Sequence, residues 1–238
     1  MHDSRPIGFF DSGVGGLTVW REVTALLPRE STVYVADSAH CPYGSKTRDE
    51  VVALSRRCVE MLLDESCKLV VVACNTATAA AIDTLRETYP VPFVGMEPAV
   101  KPAALNSKTG VIGVLATEGT FNGRLFKETS ARFADSATME VCVGNDLVEL
   151  VESGKADDEE TCRVLERLLR PMLDKNIDHL VLGCTHFPFL RPQIQRIVGD
   201  RVTIVDPAPA VARQVERRLT ENGILSQRGI PTHAMIRS

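Results

Sequence analysis

Two patterns of apolar and polar positions alternate along the chain. Short apolar runs rich in β-branched residues, such as 69–73, are typical of strands buried on both faces. Longer segments with apolar residues on one broad face, such as 48–64, predict amphipathic helices. This alternation predicts an α/β fold with parallel sheets. The predicted strands are 6–10, 32–36, 69–73, 91–95, 109–115, 139–143, 179–182 and 202–205, and the predicted helices are 17–27, 48–64, 77–89, 117–131, 157–175 and 208–222. Pro171 is expected to kink or shorten the helix in which it lies.

Proline pairs mark the joints between two sets of strand–helix units. Pro98 and Pro102 follow the first set, and Pro207 and Pro209 follow the second. We therefore predict two α/β domains of similar build, with the last helix returning to the first domain. The first domain is predicted to comprise residues 1–97 and 207–238, and the second residues 98–206.

The composition is that of an ordinary globular protein. Of the 238 residues, 44% are hydrophobic and 24% are charged, and the net charge is −4 at pH 7. This balance indicates no direct contact with nucleic acid or with an anionic membrane surface. No apolar run approaches the roughly 20 residues of a membrane span, and the N-terminus has no signal-peptide pattern. We therefore expect a cytoplasmic protein whose seven cysteines are free thiols.

Two predicted strands end in the same way. Residues 70–73 run into Cys74 and then into polar side chains, and residues 179–183 run into Cys184 in the same manner. In open α/β sheets, ligands bind beyond the carboxyl ends of the strands. A cysteine there lies near a helix N-terminus, where backbone N–H groups and the helix dipole favour the thiolate. If the two domains face each other, the two thiols approach one ligand from opposite sides.

The sequence gives less indication of a chemical role for the other five thiols. Cys58, Cys67, Cys142 and Cys162 lie in helical or strand runs, where a free cysteine is usually an inert core residue. Cys41 lies in a loop, and its role stays open.

Polar residues also follow the first two predicted strands. The glycine-rich turn at 11–16 begins with Asp11 and Ser12, which are well placed to contact a polar ligand. It is not a dinucleotide-binding fingerprint, because that pattern would need glycine in place of Thr18. The loop at 40–45 offers hydroxyl groups and backbone amides that could hold a carboxylate.

Two alternative chemistries use some of the same residues. A zinc site formed by His40, Cys41, Cys184 and His186 is not favoured, because the Cys-x-His spacing is short and no Cys-x-x-Cys pair is present. We therefore predict no metal site. A hydrolase-like nucleophile pair, Cys184 with His186, would leave the matching Cys74 unexplained.

Four segments together resemble one family. FDSGVGGLTV, ADSAHCPYGSKT, VVVACNTATA and LVLGCTHFPFL resemble, in order and spacing, the signature segments of the aspartate/glutamate racemase family, and of its glutamate racemases in particular. The resemblance spans about residues 7–222. It implies two flavodoxin-like α/β domains with parallel sheets and an active site in the cleft between them.

The resemblance also implies roles for individual residues. Cys74 and Cys184 match the family's two acid/base thiols, which take the α-proton from the D and the L enantiomer, respectively. Asp11 is implied to assist Cys74, and His186 to assist Cys184. The residues that match substrate-binding positions are Asp11, Ser12, Tyr43, Gly44, Asn75, Thr76, Thr117, Thr120, Thr185 and His186.

The implied reaction interconverts L- and D-glutamate without a cofactor. Inverting a stereocentre by proton transfer needs a base on one face and an acid on the other, so one thiol is ionised while the other is protonated. A pyridoxal cofactor is not expected, because neither cysteine segment offers a lysine to hold it. The D-glutamate would supply bacterial peptidoglycan synthesis, and we expect a homodimer acting on this small-molecule substrate.

Several alternatives stay open at this stage. An aspartate racemase shares the two-cysteine logic, and a non-catalytic role is an alternative because some family members bind DNA gyrase. The segment at 141–146 lacks the family's Cys-Pro step, so either Glu149 or Glu152 could match its cleft glutamate. The short C-terminal segment leaves the packing of the last helix open, and the short N-terminus predicts no activation by a cell-wall precursor.

Overall fold

The computed structural model, which describes residues 3–226 and 230–237, contains two separate parallel β-sheets. The strands in chain order are β1 (Ile7–Asp11), β2 (Thr32–Ala36), β3 (Leu69–Val72), β4 (Phe93–Gly95), β5 (Val111–Ala116), β6 (Thr138–Val143), β7 (His179–Gly183), β8 (Thr203–Val205) and β9 (His233–Arg237). The first sheet has the order β4-β3-β1-β2-β9 and the second the order β6-β5-β7-β8. All neighbouring strands within the described part of each sheet are parallel.

Helices cover both faces of each sheet. They are α1 (Leu17–Leu26), α2 (Arg48–Asp64), α3 (Asn75–Thr88), α4 (Val100–Asn106), α5 (Glu118–Asn122), α6 (Arg124–Phe133), α7 (Asn145–Glu152), α8 (Glu159–Asp174), α9 (Arg191–Val198) and α10 (Ala208–Glu221). On the first sheet, α1 and α10 share one buried cluster and α2 and α3 share another. On the second sheet, α4 and α6 cover one face, and α7, α8 and α9 cover the other. This burial of both sheet faces explains the continuous apolar strands and confirms the predicted α/β class.

The last long helix packs in the core of the first sheet. Val211 and Val215 of α10 lie in one buried cluster with Val19 and Val23 of α1. The chain therefore returns to the first sheet after completing the second. The boundaries proposed at residues 97 and 206 stay a prediction.

The eight strands predicted from the apolar runs are all present, with ends shifted by at most two residues. The prediction of a single helix over 117–131 is wrong. Gly123 has an extended backbone (φ −67°, ψ 145°) and separates α5 from α6. A Cβ on Gly123 would lie 2.5 Å from the Cβ of Ala79, so the glycine allows this bend to pack against α3.

Pro171 does not shorten its helix. It lies inside α8, which continues to Asp174. Leu169 and Met172 on either side of the proline are buried against the second sheet, and this packing holds the helix together despite the lost backbone hydrogen bond.

Three helices and one strand were not predicted from the sequence pattern: α4, α7, α9 and β9. The strand β9 is mostly exposed, and only its parallel pairing with β2, from Thr32↔His233 to Ala36↔Arg237, defines it. Its sequence has no continuous apolar run, so local pattern could not reveal it. None of the described helices is both long enough and apolar enough to cross a membrane.

A buried ion pair ties together distant segments at the base of the first sheet. Lys68 Nζ lies 2.6 Å from a carboxylate oxygen of Glu30, and both side chains are buried. The ammonium group also donates to the backbone oxygen of Asp3, and Glu30 accepts from the backbone N–H of Ser226. These contacts hold the segment before β1 and the segment after α10 at one point.

Replacing Lys68 with methionine should therefore be strongly destabilising, because it leaves the Glu30 carboxylate buried without a counter-ion. We expect a loss of about 3–5 kcal/mol in the free energy of unfolding, measured by urea denaturation. The double variant Glu30→Gln/Lys68→Met should recover much of the loss, since glutamine still accepts from Ser226. Lys175→Met, which removes an exposed ion pair with Glu140, is the control and should change little. Equal stability of Lys68→Met and the control would contradict a structural role for the buried pair.

Candidate active site

Two cysteines stand at the carboxyl ends of central strands, one in each sheet. Cys74 follows β3 and is the N-cap residue of α3, where its sulfur accepts a hydrogen bond from the Ala77 N–H at 3.4 Å. Cys184 follows β7 directly. Both side chains are buried. Parallel strands deliver these residues to the ligand-binding edge of each sheet, as the sequence pattern predicted.

Both thiols line one narrow cavity. Residues from the ends of both sheets form its wall: Ser12, Pro42, Tyr43, Gly44, Cys74, Asn75, Thr76, Thr117, Val148, Cys184, Thr185 and His186. The cavity thus lies in the cleft between the two sheets. Its wall combines two thiols with hydroxyl, amide and imidazole groups, all of which can contact a small polar ligand.

Asp11 and Thr120, two of the predicted site residues, lie behind this wall. The Asp11 carboxylate is fully buried and accepts hydrogen bonds from the N–H groups of Ser12 (2.8 Å) and Gly16 and from the hydroxyl of Thr185 (3.1 Å). It therefore joins the turn after β1 to the loop after β7. Asp11 makes no direct hydrogen bond to Cys74 within the described part of the chain; the Ser12 hydroxyl lies between them, 3.5 Å from Asp11 Oδ1 and 3.9 Å from Cys74 Sγ.

Thr120 belongs to a chain of hydroxyl groups that crosses between the sheets. The Oγ1 atoms of Thr120 and Thr117 lie 3.0 Å apart, and those of Thr117 and Thr76 lie 2.8 Å apart. Thr76 comes from α3 and Thr117 from the end of β5. Thr120 thus orients Thr117 rather than facing the cavity itself.

Tyr43 and Gly44 reach the cavity through a loop held by Asp37. The Tyr43 hydroxyl donates to the Asp37 carboxylate at 2.6 Å, and the other carboxylate oxygen lies 2.7 Å from His40 Nδ1. A Cβ on Gly44 would lie 3.0 Å from the Cβ of Thr117, so glycine permits the loop to approach β5 closely. Sequence reasoning missed Asp37, which has no motif of its own beyond following a strand.

On the other side of the cavity, a chain of three side chains runs from Cys184 into the protein. Cys184 Sγ lies 3.7 Å from His186 Nδ1, and His186 Nε2 lies 2.6 Å from Glu152 Oε1. Glu152 also accepts a 2.7 Å hydrogen bond from the backbone N–H of Val14. Glu149, the other glutamate considered from the sequence, is exposed on the same helix. Glu152 is therefore the acidic residue of α7 that reaches the cleft.

The surroundings of these groups shift their pKa values in different directions. Burial raises the pKa of the Cys74 thiol well above its usual value, and the charge of Asp11 adds to the rise, whereas the Ala77 N–H and Ser12 oppose it. Burial alone would lower the pKa of His186, but hydrogen bonds with Cys184, Cys41 and Glu152 raise it well above the usual value. His186 is thus held in its protonated form, next to Cys184.

The remaining thiols divide into two groups. Cys58 and Cys67 are buried, and burial raises the pKa of each to about 12, as suits inert core residues. Cys142 and Cys162 are both only partly buried; Cys142 still packs against the core of the second sheet, whereas the prediction of a core position is wrong for Cys162. Cys142 is on the edge strand β6 and packs against α8, where its thiol lies 3.5 Å from the backbone oxygen of Leu168. Cys41 lies next to His186 and Glu152.

The comparisons with known proteins agree with this geometry. The sequence model for Asp/Glu/Hydantoin racemase matches residues 17–215. This chain belongs to that racemase family. A glutamate racemase of Roseiflexus sp. (strain RS-1) is 49% identical over 225 residues, which cover 93% of this chain and 82% of that protein.

Solved structures of racemases share the whole fold. The RacE1 isoform of glutamate racemase from Bacillus anthracis matches with a TM-score of 0.90 and 34% identity, covering 99% of this chain and 89% of that chain. The glutamate racemase of Escherichia coli in complex with L-glutamate and the activator UDP-MurNAc-ala matches with a TM-score of 0.84 and 38% identity, covering 91% and 83% of the two chains. The predicted family and the two-sheet α/β fold are therefore confirmed.

Within this racemase, the contact between His186 and Glu152 has a direct spectroscopic consequence. In Glu152→Gln the negative charge that stabilises the imidazolium is lost, so the pKa of His186 should fall. An NMR titration of the ring nitrogens measures this pKa. Glu149→Gln, an exposed change on the same helix, is the matched control and should leave it unchanged. An unaltered His186 pKa in Glu152→Gln would show that the pair does not couple electrostatically.

Proposed function

We propose that this chain interconverts L-glutamate and D-glutamate by exchanging the α-proton between Cys74 and Cys184. The observation that carries the proposal is that two buried thiols, each from the end of a strand in a different sheet, line one cavity. An amino-acid racemase needs this two-sided arrangement, because a single base tends to return the proton to the face from which it came.

The proton balance of the reaction is simple. One cysteine, as thiolate, removes the α-proton of glutamate and becomes a thiol. The α-carbon then holds a carbanion, and the opposite cysteine, initially a thiol, protonates it on the other face and becomes the thiolate. No electron leaves the substrate, and no leaving group forms. We assign Cys74 to the D enantiomer and Cys184 to the L enantiomer, and the two roles reverse with the direction of reaction.

Each thiol has its own supporting residues in this proposal. His186, paired with Glu152, lies 3.7 Å from the Cys184 sulfur and can donate a proton to it and take that proton back. Asp11 acts on Cys74 through the turn that carries Ser12, whose hydroxyl lies 3.9 Å from the Cys74 sulfur. The two sides are therefore not equivalent: among the described residues Cys184 has an imidazole neighbour, whereas Cys74 has hydroxyl and N–H neighbours.

The remaining cavity residues suit the charged groups of an amino acid. Asn75 Oδ1 is buried and has no hydrogen-bond partner among the described residues, so it can accept from a substrate ammonium group. Hydroxyl groups of Ser12, Thr76 and Thr185, with N–H groups near the start of α3, suit the carboxylates and the carbanion. Tyr43, Gly44 and Thr117 complete the wall, and Thr120 positions Thr117.

The biological setting follows from the reaction proposed. D-glutamate formed here would supply peptidoglycan synthesis in the cytoplasm, and the mechanism calls for no cofactor. The chain is proposed to act as a homodimer. Sedimentation equilibrium of the purified chain should give twice the mass of a single chain, and a single-chain mass at micromolar concentration would contradict the dimer.

Isotope exchange tests the reaction directly. Incubated with L-glutamate in D₂O and no added cofactor, the protein should form D-glutamate and replace the α-hydrogen with deuterium, both followed by NMR and chiral chromatography. Exchange with L-aspartate in place of L-glutamate would move the assignment to an aspartate racemase. Absence of exchange with either amino acid would refute racemase activity.

Serine variants test the two-thiol mechanism. Cys74→Ser and Cys184→Ser should each lower the racemisation rate by at least about 10²-fold, because a serine hydroxyl is a far weaker acid than a thiol. Cys142→Ser and Cys162→Ser, which change thiols outside the cavity, are the matched controls and should retain the rate. Full activity of either cavity variant would exclude the proposed pair.

A further inference from the structure

A third thiol lies beside the His186–Glu152 pair, outside the two-thiol mechanism. Cys41 Sγ, a ring nitrogen of His186 and a carboxylate oxygen of Glu152 all lie within 4.8 Å of one another. The three residues come from separate parts of the chain: the loop after β2, the loop after β7 and the end of α7. Their meeting is therefore a product of the tertiary fold, not of a local motif.

The chemistry of these three donors selects one class of ligand. A thiolate, an imidazole and a carboxylate together are a typical ligand set for Zn²⁺, which accepts sulfur, nitrogen and oxygen donors in tetrahedral geometry. Mg²⁺ and Ca²⁺ prefer sites made of oxygen donors alone. Tetrahedral zinc places its ligand atoms about 3–4 Å apart, so this trio needs only small side-chain shifts, chiefly a widening of the 2.6 Å His186–Glu152 contact.

The surroundings hold the trio in place. His186 is 1% exposed, and the Glu152 carboxylate is fixed by the Val14 N–H. Gly13 leaves the space that the donors occupy, because a Cβ there would lie 1.9 Å from Glu152 Oε1 and 3.3 Å from Cys41 Sγ. Prearranged donors lose little conformational freedom on binding a metal, which favours affinity.

We propose that Cys41, Glu152 and His186 form an inhibitory binding site for Zn²⁺, with solvent as the fourth ligand. Binding releases two protons to solvent, one from the Cys41 thiol and one from the His186 imidazolium, because both donors coordinate a metal only after losing a proton. A zinc-bound imidazole can no longer carry the second proton that makes it a cation beside Cys184, and the racemase reaction is inhibited for that reason. The inhibition rests on the proposed function, whereas the binding of zinc does not.

The sequence by itself did not favour a metal site, because the Cys-x-His spacing is short and no Cys-x-x-Cys pair is present. That argument concerned a set of His40, Cys41, Cys184 and His186. The folded chain offers a different set, in which Glu152 takes part and His40 is instead bound to Asp37.

Zinc binding to the reduced, metal-free full-length protein tests the site. Competition with a chromophoric chelator gives the affinity, and zinc K-edge X-ray absorption gives the ligands. We expect one sulfur per zinc, at about 2.3 Å, with the other ligands nitrogen or oxygen. Cys41→Ser should weaken binding more than about 100-fold, and Mg²⁺ should not compete. Cys162→Ser is the matched control and should bind zinc like the unmodified chain.

A second variant distinguishes loss of a ligand from misfolding of the Cys41→Ser protein. Glu152→Gln keeps the shape of the carboxylate but is a poor ligand, and it should also weaken zinc binding. Two sulfurs per zinc, or binding lost in Cys74→Ser and kept in Cys41→Ser, would place the metal between the cavity thiols and overturn the proposal. Unchanged affinity in Cys41→Ser would do the same.

Kinetics separates the two proposals. Zinc should inhibit racemisation, with a half-inhibitory concentration at least about 100-fold higher in Cys41→Ser, each variant being compared with its own zinc-free rate. Zinc bound through one sulfur, without any racemisation in the zinc-free protein, would leave the metal site standing and remove the proposed function.

Discussion

The close approach of the glycine-rich turn after β1 to the loop after β7 is the constraint on which the site depends. Cβ atoms on Gly13 and Gly15 would overlap Glu152 and His186, respectively. Asp11 accepts from Thr185, and Glu152 accepts from Val14, so the two sheets are joined by hydrogen bonds at this point. Because the sheets meet so closely, two thiols that lie 110 residues apart in the chain share one cavity.

Burial at this junction has an electrostatic cost that the surrounding groups offset. The Asp11 carboxylate is fully buried, but it accepts from two N–H groups and from the hydroxyl groups of Thr185 and Ser12. Burial raises the pKa of the Cys74 thiol, and the charge of Asp11 adds to that rise. On the opposite side, His186 lies 3.7 Å from the Cys184 sulfur, and its hydrogen-bond partners raise its pKa in spite of its burial. The two sides of the cavity therefore differ chemically: one thiol has its pKa raised by burial, and the other lies beside an imidazole.

Much of this molecule could be predicted from local pattern. Buried parallel strands have continuous apolar sequences, so eight strands and the positions of Cys74 and Cys184 followed from the chain alone. Failures occurred where tertiary packing overrides local preference. Gly123 divides a predicted helix because α3 lies against it, and Pro171 is tolerated because its neighbours are buried. The strand β9 exists only through its pairing with β2.

The sequence by itself determined the fold class, the family resemblance and the two cysteines, because these depend on short segments and their order. Only the tertiary structure decided which partners those segments have. It selected Glu152 over Glu149, since α7 turns the first toward His186 and the second toward solvent. It also brought Cys41 to the same pair. Contacts between loops of two different sheets depend on how the sheets pack, and no local pattern in the chain encodes that distance.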